Sequence, residues 1–322
     1  MTAMRQLFSA PRRPYYIDAP AYRRTSAGIR VLHLLCHALN SIGEEAYVYP
    51  TETHPALNTP LVTPELIERH KAAGREPIVV YPEVVPGNPR KAASVVRYVL
   101  NRAGLLGGDS VHAETELIFG FGLNALPDGA DPQNILFLPP IDTAIFNNRD
   151  NPDDHQRSGA LLYPGRHQAA LSQYPKLAAE ATLITYSWPE SHEALASLLR
   201  RSEVVYCFES TAIAAEAALC GCPAVILPSP FFNGVALSEA EIGRNGIALN
   251  DSPEEVAFAR SSVGKMWDAY QAAEARFWSQ LDHFVATTQA MPVSDVSGQP
   301  AETPAAAEAR QTIEAAYRAE SG

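Results

Sequence analysis

Short apolar runs alternate with longer amphipathic stretches along most of the chain. An apolar run between turn residues is typical of a buried strand, and apolar positions three and four apart are typical of a helix. Strands are predicted at residues 15–18, 46–49, 77–85, 117–119, 135–138, 160–163, 181–185 and 204–208, and in the apolar run that ends at 228. Helices are predicted at residues 29–42, 64–73, 92–103, 191–201 and 264–290, and in the Ala-rich segment before Gly221. This alternation predicts an α/β fold with parallel sheets covered by helices.

The adjacent prolines Pro139 and Pro140 mark the predicted boundary between two α/β domains. Two prolines in succession stop regular structure, and 322 residues are enough for about two domains. The predicted helix at 264–290 carries large aromatic side chains, which need a surface to pack against. Residues 291–322 are rich in Pro, Ala, Ser and Glu, so we expect a mobile tail there with a weak helix near 305–319.

The charge of the chain limits the classes of partner. A formal net charge of −11 argues against a general nucleic-acid-binding protein, which would be basic. A basic cluster near the N-terminus comprises Arg5, Arg12, Arg13, Arg23 and Arg24. It is either solvated surface or a contact for a diphosphate, an anionic lipid or the membrane surface. Since there is no secretory signal and no run of about 18 apolar residues, we expect a cytoplasmic protein, with peripheral contact to the inner face of the membrane left open.

The cysteines and histidines do not predict a metal site. The cysteines lack C-x-x-C spacing and lie mostly in apolar runs, so we expect reduced thiols: Cys36, Cys207, Cys220 and Cys222. His33 and His37 are four residues apart on one predicted helix, but no glutamate in the metalloprotease arrangement accompanies them. His33 is instead a candidate general base for deprotonating a hydroxyl.

The segment from 208 to 228, FESTAIAAEAALCGCPAVILP, carries the strongest chemical signal. Ser210 or Thr211 is placed to cap a short helix, whose first backbone N–H groups suit a phosphate. Glu209 and Glu216 are close to two helical turns apart, so their carboxylates can face the same way. Acidic acceptors beside an anion-binding helix start suit a molecule with hydroxyls and phosphates, such as a nucleotide-sugar.

This segment resembles the donor-binding motif of the retaining GT-B glycosyltransferases of group 1, whose helix reads E-A-x-x-x-G-x-P. Glu216, Ala217, Gly221 and Pro223 match that pattern. The commonest version of the motif has seven residues between its two glutamates and a glycine after the first. This chain has six residues between Glu209 and Glu216 and lacks that glycine. An ordinary strand–helix–strand unit would give the same local pattern.

The resemblance implies further donor-binding residues. Gly165 and Arg166 match the Gly-Arg that precedes a diphosphate-binding lysine in related enzymes. The nearest lysine here is Lys176, so either it takes that role or Arg166 acts with His167 and the helix start. The remaining implied donor residues are Trp188, which would stack on the base or cap the surface, and Gly28, in a loop similar to the family's Ser-Gly-Gly loop.

The resemblance also implies an acceptor site on the first domain. Glu83 follows a predicted strand and would bind acceptor hydroxyls, and Arg24 lies in the loop before Gly28. Asn88 either contacts the acceptor or only caps the following turn. Glu209, Arg166 and His33 are the candidate catalytic residues.

The function implied is transfer of a sugar from a nucleotide-sugar donor to a glycan or lipid-linked acceptor, in surface polysaccharide synthesis. The fold implied is GT-B, with two Rossmann-like domains facing each other across a cleft. Residues 1–139 would bind the acceptor, 140–262 would bind the donor, and the helix at 263–290 would cross back to the first domain, followed by the tail at 291–322. The implied mechanism needs no cofactor or metal and favours retention. A nucleotide-sugar epimerase of the same fold and a non-catalytic partner subunit are the alternatives.

Overall fold

The computed structural model describes residues 12–149, 151, 156–230, 232 and 234–293. Among these residues the chain divides into two compact units. The first comprises residues 12–119, 127–134 and 281–293, and the second comprises 120–126 and the described part of 135–280. Arg5, the predicted helix near 305–319 and almost all of the predicted tail lie outside the described residues.

The first unit is built on a five-stranded sheet with strand order β2-β1-β3-β4-β5. Its strands are β1 (Tyr15–Ile17), β2 (Ala46–Val48), β3 (Ile78–Pro82), β4 (Val95–Val99) and β5 (Leu117–Gly120). β1 pairs in parallel with β2 on one side and with β3 on the other, and β3 pairs in parallel with β4. Every residue of β1, β3 and β4 is buried, as expected for parallel strands with both faces covered.

The second unit repeats this topology. Its sheet has the order β10-β9-β8-β6-β7, and all of its neighbouring strands are parallel. The strands are β6 (Ala160–Tyr163), β7 (Thr182–Leu183), β8 (Val204–Cys207), β9 (Ala224–Ile226) and β10 (Ile247–Ala248). Counted from its own first strand, each sheet therefore has the doubly wound order 2-1-3-4-5. The predicted α/β class with two Rossmann-like domains is confirmed by these two sheets.

Eight α-helices accompany the strands among the described residues. They are α1 (Ala27–Ser41), α2 (Pro64–Ala72), α3 (Pro175–Glu180), α4 (His192–Arg201), α5 (Ala212–Leu219), α6 (Glu239–Ile242), α7 (Pro253–Ser262) and α8 (Met266–Gln289). Side-chain caps fix several starting points: Thr63, Ser191 and Ser252 each accept a backbone N–H three residues ahead. None of the helices in the described ranges combines the length and apolar character that a membrane span requires.

The predicted helix at 92–103 is wrong, because this segment contains strand β4. Val95, Val96 and Val99 are β-branched and pack well on a pleated surface, which favours the strand. Arg97 interrupts the apolar run, yet it is fully buried. The predicted strand at 135–138 is also wrong, since only a single bridge joins Ile135 to Gly120 there.

Helix α8 contributes residues to both units. Within the second unit, the Tyr270 hydroxyl accepts the backbone N–H of Ile141 at 2.8 Å. Within the first unit, the Phe284 ring packs on Tyr15 and Phe119, with centroid distances of 5.9 and 4.9 Å. The helix predicted at 264–290 is thus present from Met266 to Gln289, while the predicted domain limits stay a prediction.

Candidate functional site

The loops after β6 and β8 lie side by side in the second unit. β6 has β7 on one side and β8 on the other, so the connections leave β6 in opposite directions. The register pairs Tyr163, the last residue of β6, with Cys207, the last residue of β8. This is a topological switch point, where ligands of doubly wound sheets bind beyond the carboxyl ends of the strands.

Three predicted site residues meet at this switch point around one carboxylate. Arg166 Nε donates to Glu209 Oε1 at 3.0 Å, and His167 Nε2 lies 3.2 Å from Glu209 Oε2. Gly165 turns the chain with a φ of 54°, and a Cβ there would lie 3.6 Å from Glu209 Oε1 and 3.3 Å from the Tyr163 ring. The Arg166 side chain is 38% exposed, so it remains within reach of a ligand.

Glu216 belongs to the same neighbourhood but is buried in α5, with only 4% of its surface exposed. Burial raises the pKa of the Tyr163 hydroxyl, and nearby groups that include Glu216 and Glu209 raise it further. Both carboxylates therefore act electrostatically on the Tyr163 phenol. Tyr163 was not among the predicted site residues, although it directly precedes the Pro-Gly-Arg-His sequence and ends a strand.

The predicted helix cap is wrong. Thr211 occupies the N-cap position of α5 without a side-chain hydrogen bond to the helix. Ser210 Oγ instead accepts the backbone N–H of Leu237 at 2.9 Å, which ties the loop after β8 to the segment that leads into α6. The first N–H groups of α5 therefore have no side-chain cap from either residue.

Two predicted donor residues lie outside this cluster. Lys176 is exposed in the first turn of α3, and within the described ranges it forms no hydrogen bond or ion pair. Trp188 is 42% exposed after β7, where its backbone N–H donates to Thr185 Oγ1 at 3.0 Å. The donor roles of Lys176 and Trp188 stay predictions.

In the first unit, Gly28 and Arg24 lie at the start of α1. Gly28 is in the first turn of the helix, and a Cβ there would make an ordinary 3.6 Å contact with Leu100. Arg24 is half-buried in the preceding turn. His33 is completely buried; its Nε2 lies 2.9 Å from the Pro20 carbonyl, so Nε2 carries the proton and donates. Burial lowers the pKa of His33, but an enclosed ring is poorly placed to take a proton from an acceptor.

Glu83 and Asn88 are both engaged within the first unit. Glu83 is 3% exposed, its Oε2 accepts the Leu100 N–H at 2.9 Å, and burial raises its pKa to about 7. Asn88 Oδ1 accepts the Ala92 N–H and its Nδ2 donates to the Ala92 carbonyl, both at 2.9 Å. Asn88 thus holds the turn at Ala92, and its predicted contact with the acceptor stays a prediction.

An ion pair missed by the sequence reasoning occupies the switch point of the first sheet. β1 lies between β2 and β3 in this sheet. Asp18 directly follows β1, and Arg90 lies in the loop after β3. Arg90 Nε donates to Asp18 Oδ2 at 2.7 Å, and its guanidinium lies 3.3 Å from the Tyr49 ring centroid. Asp18 was predictable as a site residue because it is a polar residue at a strand end, whereas no sequence pattern around Arg90 indicates its role.

No model of a known protein family matches the chain, and no curated protein sequence matches it. Solved structures do resemble it. WaaG, a glycosyltransferase involved in lipopolysaccharide biosynthesis, is 10% identical with a TM-score of 0.49, and the similarity covers 86% of this chain and all of WaaG. Acinetobacter baumannii MurG is 15% identical with a TM-score of 0.43, covering 87% of this chain and all of MurG. A protein proposed to be a UDP-N-acetylglucosamine 2-epimerase of Listeria monocytogenes is 12% identical with a TM-score of 0.43, covering 89% of this chain and all of that protein.

Proposed function

We propose that the chain is a glycosyltransferase that moves a sugar from a nucleotide-sugar donor to a glycan or glycolipid acceptor. The observation that carries the proposal is the meeting of Arg166, His167 and Glu209 at the switch point of the second sheet, directly before α5. A guanidinium, an imidazole, a carboxylate and an uncapped helix start in one place match the groups of a nucleotide-sugar, which are a diphosphate and several hydroxyls.

Each group has a role in this reaction. The Arg166 guanidinium and the first N–H groups of α5 bind the diphosphate and stabilise the negative charge that grows on it as the sugar leaves. Glu209, whose side chain is 14% exposed, accepts hydrogen bonds from sugar hydroxyls, whereas Glu216 is buried in α5 and supports the site from within the helix. Because the chain itself supplies the positive charge, the proposed reaction needs no resident metal. Retention of the anomeric configuration and a role in surface polysaccharide synthesis, at the inner face of the membrane, complete the proposal.

The acceptor is proposed to bind the first unit at its own switch point. Asp18 and Arg90 offer an acceptor and several donors for hydrogen bonds with sugar hydroxyls, and Tyr49 offers an aromatic ring. Glu83 lies at the same edge of the sheet but is buried, so it supports the loop after β4 rather than contacting a sugar directly.

The test begins with a thermal-shift panel of nucleoside diphosphates and nucleotide-sugars, since a ligand of the native state raises the melting temperature. With the donor identified, Arg166→Ala should lower the transfer rate constant at least about a hundredfold, as loss of a preorganised electrostatic donor does. Arg260→Ala is the matched control, because Arg260 is an exposed arginine on α7. Near-normal turnover of Arg166→Ala would show that another cation holds the phosphates.

Glu209→Gln separates sugar binding from phosphate binding. The substitution removes the negative charge beside Arg166 and His167, so affinity for the nucleoside diphosphate alone should rise. Transfer should nevertheless slow by about tenfold or more, since a charge-assisted hydrogen bond to the sugar is lost. Unchanged transfer would remove Glu209 from the proposed site. Epimerisation of the donor without any acceptor, or no donor binding at all, would contradict the proposed transferase.

A further inference from the structure

The second unit contains a pocket that none of the candidate donor residues lines. Its volume is about 550 Å³, within the range of small-molecule sites. It lies between α6, one face of α8 and the segments around residues 123 and 135–137. The proposed transferase reaction gives this pocket no role.

One face of α8 creates the space. Ala269, Ala272 and Ala273 line the pocket and are followed on the same face by Arg276 and Gln280, at spacings of three and four residues. Three alanines leave a volume that larger side chains would fill. The rest of the lining includes the apolar side chains of Leu123, Ile135, Phe137 and Ile242 and the polar side chain of Asn245.

The charged groups at the pocket are not equivalent. The Glu241 carboxylate is turned to the chain: its Oε1 accepts the Leu123 N–H at 2.7 Å, and a Cβ on Gly122 would lie 2.6 Å from its Oε2. Arg276 is exposed, and one of its Nη2 hydrogens donates to the Glu241 backbone carbonyl at 2.6 Å. Within the described part of the chain, the Arg276 guanidinium has no carboxylate partner in an ion pair. The pocket therefore offers an incoming ligand one positive group, the amides of Asn245 and Gln280, and several apolar side chains.

We propose that this pocket binds an amphipathic anion, with its apolar body along the alanine face of α8 and its anionic head on Arg276. The head is a carboxylate or a phosphate monoester, because both pair with the guanidinium fork. The alanine face of α8 suits an apolar body, which gains free energy when it leaves water. The positive charge of Arg276 makes an anionic head preferable to a cationic one.

Calorimetric titration tests the proposal with three probes that share an eight-carbon chain, each below its micelle-forming concentration: octanoate, octyl phosphate and octyltrimethylammonium. At least one anion should bind with one-to-one stoichiometry, and the cation should not. Ala272→Leu fills the pocket and Arg276→Gln removes its positive charge, so each should weaken anion binding about tenfold or more. Ala275→Leu is the matched control, because Ala275, like Ala272, is exposed on α8 but lies outside the pocket lining.

The relative affinities of octanoate and octyl phosphate identify the head group. Binding of neither anion, equal binding of the cation, or anion binding unchanged by Ala272→Leu and Arg276→Gln would overturn the proposal. Circular dichroism and unfolding midpoints verify that each variant is folded. Arg166→Ala should leave binding of the anion unchanged, so failure of this proposal and failure of the transferase proposal are distinguishable.

Discussion

Replacing Glu83 with glutamine should change how the stability of the protein depends on pH. Glu83 follows β3, is 3% exposed and has its Oε2 on the Leu100 N–H. Burial, the largest influence, raises its pKa from 4.5 to about 7, although backbone N–H groups favour the ionised form. The folded protein therefore holds the proton on Glu83 more tightly than the unfolded chain does.

The direction and size of the pH effect on the unfolding free energy follow from the difference in proton binding between the folded and unfolded protein. Because the pKa is raised on folding, the stabilisation is fully present below about pH 4.5 and is lost as the pH rises through about 7. The difference between 4.5 and about 7, at about 1.4 kcal/mol per pH unit, corresponds to a loss of about 3 kcal/mol. Glutamine stays neutral and its Oε1 can still accept the Leu100 N–H, so the variant lacks this loss.

Urea unfolding followed by circular dichroism between pH 4.5 and pH 8 measures the effect. Relative to the wild type, Glu83→Gln should gain about 3 kcal/mol in unfolding free energy over that range. A constant difference caused by the new amide group cancels in this comparison. Glu68→Gln, on the exposed face of α2, is the control and should follow the wild type. If the difference between Glu83→Gln and the wild type is the same at both ends of the range, the reasoning is refuted.

The buried ion pair, the thiols and the turn after β6 allow three further tests. Glu116→Gln leaves the buried guanidinium of Arg97 without its counter-charge and should cost about 3–5 kcal/mol in urea unfolding, against less than about 0.5 kcal/mol for the exposed Glu114→Gln. Burial raises the pKa of the four thiols, Cys36, Cys207, Cys220 and Cys222. At pH 8 Ellman's reagent should therefore react with them only after the protein unfolds. Rapid reaction in the native protein would contradict their burial. Gly165→Ala introduces strain at a φ of 54° and should weaken nucleoside diphosphate binding about tenfold, whereas Gly264→Ala, with open space around its Cβ, should leave that binding unchanged.

The order of elements was largely predictable because buried parallel strands are short apolar runs and helix starts carry capping residues. The segment at β4 was not predictable in this way. Its arginine, Arg97, is tolerated inside a buried strand because Glu116 pairs with both Nε and Nη2 and the carbonyls of Val85 and Gly87 accept further bonds. Those partners come from separate loops, so the sequence around Arg97 does not reveal them.

In the candidate site, too, the residues were predictable from local sequence but their contacts were not. Arg166 and His167 were predicted from the resemblance of the Gly-Arg sequence after a strand, and Glu209 from the motif at residues 208–228. That they meet depends on the pairing of β6 with β8, which local patterns do not determine. Ser210 is the clearest example of a contact that the local sequence does not predict. Its position suggested a helix cap, but its hydroxyl accepts a hydrogen bond from the Leu237 N–H, 27 residues away.

The repeated topology gives the proposed reaction a physical basis in the chain. Each unit has one switch point, and at each of them one charged residue follows the first strand and its partner follows the third. In the first unit these are Asp18 and Arg90, and in the second they are Arg166 and Glu209, with the acid and the base exchanged. An ion pair at a strand end keeps both side chains oriented while they remain partly exposed, which suits groups that exchange one partner for a ligand. A transfer between two substrates needs two such sites with different chemistry. At the second switch point His167 also contacts Glu209 beside Arg166, and this is the site proposed for the nucleotide-sugar, the more anionic substrate.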